Sequence, residues 1–137
     1  MWKGLAIVGC LLAPLVVHGH IGDNLAQLRQ AYGATGKEAG NTMIFQRNGY
    51  SICVYFDGIH SAMEVFTRDG SDKTKTDITD NDIKSILTME SDGQTWNAVT
   101  SHSGHPTWLR SDDKLIARLS PGETTADKVF VVMVNEK

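Results

Sequence analysis

The chain is poor in cysteine. Of its 137 residues two are cysteines, Cys10 and Cys53, and Cys10 falls within an N-terminal stretch that reads as a removable leader. Cys53 then has no partner in the same chain, so no internal disulfide can form and the fold must hold by packing, even in an oxidising compartment. Basic excess is lacking too: 13 Lys and Arg stand against 16 Asp and Glu, a formal charge of -3, and loss of Lys3 with the leader makes the balance more acidic. With no basic stripe to neutralise phosphates, nucleic acid and anionic membrane are not expected partners. No Walker-type phosphate loop, serine-nucleophile elbow, HExxH or CxxC motif occurs. No catalytic residue and no cofactor is therefore assigned, and the reading is of a protein that is not an enzyme.

A long apolar run is also missing. "MWKGLAIVGCLLAPLVVHGH" has one positive charge, Lys3, then an apolar segment from Gly4 to Val17 that is too short to span roughly 30 Å of hydrocarbon comfortably. It reads as a signal peptide over 1–19, cut after Gly19 so that His20 becomes the amino terminus. "IVGC" also matches the box whose cysteine is acylated in bacterial lipoproteins, but there a polar tether follows, whereas here the apolar run continues through "LLAPLVV". The expected location is the periplasm or the exterior, with no stable membrane insertion after leader removal. Residues 20–137 suffice for one ordinary domain.

What remains is patterned. Leu25, Leu28 and Tyr32 recur at helical spacing, with Asn24 and Gln27 placed as a capping box and Gly33 as a stop, which predicts a helix near Asn24 to Tyr32. "TMIFQR", "YSICVYF" and "IHSAMEVFT" follow, separated by Asn48-Gly49 and Asp57-Gly58, and such dipeptides favour two-residue hairpin loops. Pairing Arg47 with Tyr50 and Phe56 with Ile59 gives a core face of Met43, Phe45, Tyr50, Ile52, Val54, Phe56, Ile59, Met63 and Val65. After the polar link "RDGSDKTKTD", Thr79 and Asp82 form a second capping box, and Ile83, Ile86 and Leu87 predict a helix near Asp80 to Met89. Four strand-like runs close the chain: "TWNAVT", "TWLRS", "KLIARLS" and "KVFVVMV". The expected fold is α+β: two tandem helix plus antiparallel β-meander units, about 20–70 and 77–137, with the helices packed on one sheet face.

The helix "LAQLRQAYGA" leading into "NTMIFQRNGYSICVYFDG" resembles the small extracytoplasmic modules of the SmpA/OmlA (BamE) type and the beta-lactamase inhibitor protein. It is also similar to short secreted bacterial proteins with a "YG" helix end and an "NG" hairpin. The resemblance implies a binding role exercised through exposed sheet faces and loops, with another envelope or secreted protein as partner. It carries no site residue over, because the paired cysteines of the inhibitor and a convincing lipoprotein box are both absent.

Three constellations are candidates for function. The expected register sets Cys53, Tyr55, His60 and Glu64 on the face opposite the core, where His60 lies diagonal to Cys53 at roughly 7 Å, too far for a thiol-imidazole nucleophile. That face, with Tyr55, His60 and Glu64, is instead a candidate contact for a partner. The segment from Trp96 to Trp108 is a second, since aromatic residues beside a loop suit protein contacts. Within it "SHSGHP" sets His102 and His105 three positions apart, and His20 could join them. Imidazoles so spaced can share a metal, so an envelope metal-binding protein is the alternative reading.

Overall fold

A computed structural model describes residues 20–74, 77–121 and 128–136; the expected signal peptide and Cys10 lie outside these. The elements are α1 (Leu25–Tyr32), β1 (Lys37–Ala39), β2 (Thr42–Arg47), β3 (Tyr50–Asp57), β4 (His60–Arg68), α2 (Asp80–Met89), β5 (Trp96–Val99), β6 (Thr107–Arg110), β7 (Leu115–Pro121) and β8 (Lys128–Val134). Both helices begin where their caps require. Asn24 and Gln27 exchange side-chain and backbone hydrogen bonds of 2.8 and 2.9 Å at α1, and Thr79 and Asp82 do the same at α2, satisfying N–H groups that a helix start leaves without partners.

The strands do not form two separate units. They make one antiparallel sheet of eight strands, ordered β1-β2-β3-β4-β8-β7-β6-β5, accompanied by two short helices. The tandem helix-plus-meander architecture expected from the element order is thus overturned. The physical reason lies in strand edges: β4 and β8, each the last strand of its presumed meander, pair with one another from Met63↔Met133 to Phe66↔Phe130. That removes two rows of backbone groups which separate sheets would have left exposed.

The first hairpin follows its turn, with Asn48 and Gly49 both at positive φ and Phe45↔Ile52 and Met43↔Val54 as expected. The second does not. Gly58 has φ +64 and Ile59 is not left-handed, so the glycine takes the first loop position, as in a II′ turn, and Asp57 pairs with His60. This moves the register by two, which keeps the faces. A bulge then leaves Ala62 unpaired, because Phe56 faces Ser61 while Tyr55 faces Met63. One extra residue reverses every side chain beyond it. Met63 and Val65, expected in the core, point to the other face; Phe66 is buried and Ile59 is 72% exposed.

The core lies between the two helices and one face of the sheet. Leu28, Ala31 and Tyr32 from α1 and Ile83, Ile86 and Leu87 from α2 pack with Met43, Phe45, Ile52, Val54, Phe66, Ala117, Phe130 and Val132. Phe45 meets Tyr32 at 5.5 Å between ring centroids, and Phe130 meets Trp108 edge-on at 5.7 Å. Burial of each such large apolar side chain is worth about 1.5–3 kcal/mol, so this layer supplies most of the stability that a chain without disulfides requires.

Candidate functional site: the open face of the sheet

Directly opposed residues of an antiparallel sheet share a face, so the register can be followed across all eight strands. One row reads Lys37, Ile44, Cys53, Val65, Val131, Arg118, Thr107, Val99; the next reads Ala39, Thr42, Tyr55, Met63, Met133, Ile116, Leu109, Asn97. None of these residues belongs to the buried core cluster formed with the helices. They line the opposite face, which no described helix covers.

Its centre is apolar. Ile44, Cys53, Met63, Val65, Val131, Met133, Ile116 and Leu109 are each half-buried by their neighbours, and Tyr55 is 38% exposed. The five strands from β3 to β6 carry this apolar centre over roughly 19 Å at the usual strand spacing. Polar rows flank it, with Gln46, Ser51 and Thr67 on one side and Asp57 and His60 on the other. An apolar centre with a polar rim is the anatomy of a protein interface, and contiguous apolar patches larger than a few hundred Å² mark interaction sites.

The candidate contacts from the sequence are distributed differently from expectation. Tyr55 lies in the second apolar row. His60 stands at the rim, where its Nδ1 is 2.9 Å from the carbonyl of Gly22. Glu64 is on the covered face, fully buried, because the bulge at Ala62 reversed it. Trp96 and Trp108 also turn inward: Trp96 donates from Nε1 to the Leu87 carbonyl at 2.8 Å, which ties β5 to α2, and Trp108 packs on Phe130. Cys53 pairs with Val65 rather than Ala62, on a different row from His60. His102 and His105 sit in the β5–β6 loop, whereas His20 lies 3.9 Å from Glu90. Among the described residues no three His, Cys, Asp or Glu gather as metal ligands.

The register reading missed Met63, Val65, Ile116, Arg118, Val131 and Met133. A signal was available: "KVFVVMV" is apolar at every position after Lys128, whereas a strand with one face in water should alternate. A strand apolar on both faces asks for cover on both.

Beneath the covered face lies a second constellation, built of acids. Glu64 is 0% and Glu90 1% exposed. Tyr32 donates from its hydroxyl to the Glu64 carboxyl at 3.0 and 3.2 Å. Glu90 accepts the Ile21 N–H at 3.2 Å and its carbonyl accepts Arg110 at 2.9 Å. Burial holds the Glu64 carboxyl well above the usual range, and the charge of Glu90 and the hydrogen bond to it add to the effect. Burial also raises Glu90, against the hydrogen bond from Glu64 and the Ile21 N–H. Burial beside Glu90 thus favours the neutral form of Glu64. Two like charges so close cannot both ionise. Solvent reaches neither carboxyl, so the pair is a structural clasp: it holds residues 20–24, which also bond to Ser61 through Gly22 N–H and His20 C=O, onto β4 and the end of α2.

Together these features define a class: an antiparallel sheet covered by helices on one face and, among the described residues, open on the other. No family model, no curated protein and no solved structure matches the chain.

Proposed function

We propose that the protein is a secreted or periplasmic, non-enzymatic binding module, and that its docking surface for another envelope or secreted protein is the open sheet face. The observation that carries this reading is the pair of apolar rows, uncovered among the described residues, on strands whose sequences are apolar on both faces. An uncovered face of this kind leaves hydrophobic surface in water that a partner can remove. The reading is supported further by chemistry: the buried carboxylic pair is closed to substrate, and the sole cysteine of the described residues has no imidazole beside it in its row.

Cys53 lies in the first apolar row, which makes it a reporter. With the alkylation site located by peptide mass, Cys53 is expected to react with a maleimide several-fold more slowly in intact secreting cells than in the purified protein, and Val65→Asp is expected to erase the difference. Equal rates in cells and in isolation would sink the reading.

A further inference from the structure

The charge in the two central rows of the open face is one-sided. The chain as a whole is acidic, at -3, yet the two rows contain no carboxylate and two cations, Lys37 at the β1 edge and Arg118 well inside. Arg118 stands between Val131 and Thr107 across the strands, with Ile116 and Ser120 beside it along β7. Its Nε is buried without an acceptor, and it has no ion pair among the described residues, whose three pairs involve His20, Arg68 and Arg110. The two other described internal arginines each have a carboxylate: Arg68, whose Nε also lacks an acceptor, reaches Asp82 through Nη2, and Arg110 grips Asp112 through two nitrogens at 2.9 and 2.8 Å.

A guanidinium that becomes further desolvated when the surrounding aliphatic surface is covered needs a carboxylate to face it, and its planar fork suits bidentate pairing. Resting on the reading of the open face as a docking surface, we infer that the partner is an acidic, aliphatic protein segment that seats a carboxylate side chain on Arg118 and lays apolar residues over Val65, Val131 and Ile116. A second copy of this chain does not suit Arg118, because the two central rows contain no carboxylate to face it.

The test is selection from a random peptide display library on the full chain, followed by titration of the enriched peptides. Enriched sequences are expected to carry Asp or Glu flanked by aliphatic residues and to lose affinity at least roughly 30-fold on Arg118→Ala. Selection on Arg118→Glu is expected to enrich Lys or Arg instead. If Arg118→Ala does not fold by circular dichroism, Arg118→Lys, which keeps the charge and loses the fork, is expected to weaken binding less but measurably. Peptides that lack an acid, are lost on Val65→Asp and ignore Arg118→Ala would overturn the carboxylate while leaving the docking face standing. No enrichment, or peptides indifferent to Val65→Asp, would overturn both. Two further outcomes reject the inference: phosphatidylglycerol vesicles that bind the chain through Arg118, which would make the face a lipid surface, and a sedimenting dimer dissolved by Val65→Asp.

Discussion

The two faces of one sheet differ in a way that composition does not foretell. The covered face contains nearly all of the packed aromatic residues but also Glu64, Glu90, Asp82 and Arg110, whereas the two central rows of the open face are largely apolar and have no carboxylate. Under the helices the charged groups have partners: Tyr32 for Glu64, the Ile21 N–H for Glu90, and a cap and an arginine for Asp82. On the open face Thr42 and Thr107 bond to nearby carbonyls, whereas Arg118, between Val131 and Thr107, has its Nε buried without an acceptor. The difference teaches that burial here tracks cover rather than hydrophobicity, and that the uncovered surface is where function is to be sought.

The comparison can be broken most forcefully at two adjacent residues. Phe66 is fully buried and Val65 faces out. Phe66→Ala should cost about 3–5 kcal/mol of unfolding free energy, and Val65→Ala less than about 1 kcal/mol, both read by urea denaturation. Equal costs would mean that the outer face is covered in the isolated chain.

A smaller effect is expected at Asp82, which burial would raise, but which hydrogen bonds from Tyr50 and Thr79 and the charge of Arg68 hold below the usual carboxylate range. A carboxyl depressed in the folded state stabilises above its unfolded pKa and loses that contribution as pH falls through the folded value. Asp82→Ala removes the cap and strands Arg68, at a cost of about 2–3 kcal/mol near neutrality. The cost should shrink below about pH 4. A loss that does not change with pH would show that Asp82 acts by packing alone.

Glu64 gives the smallest effect and the opposite sign. Its raised pKa means that its contribution is fully present below the unfolded value near pH 4.3 and is lost as pH rises through the folded one. Glu64→Gln keeps the shape and the donor while removing the titration. It should therefore raise stability at pH 8 by about 1 kcal/mol relative to its effect at pH 4, flattening the profile. A variant whose profile still declines as steeply would place the proton elsewhere.

Much of the local structure was legible. Asn24 with Gln27 and Thr79 with Asp82 announced both helices, and Asn48-Gly49 set the first hairpin and its register. The candidate site was legible only in part. Tyr55 was placed on the right face, but Glu64 was not, because nothing within "IHSAMEVFT" favours one register: Met63, Val65 and Phe66 put apolar groups on both sides of the strand. The short β1 edge, which has no apolar residue to bury but Ala39, gave no signal either.

The sequence by itself determined the caps, the primed turns and the apolar periodicities, since these depend on hydrogen bonds and dihedral preferences within a few residues. Only the tertiary structure decided the bulge at Ala62, the β4–β8 pairing and hence the two faces. Their energies come from partners distant in the chain: Phe130 for Phe66, and Tyr32 and Glu90 for Glu64. A choice between two registers that are equally acceptable locally is made by whichever brings such partners together.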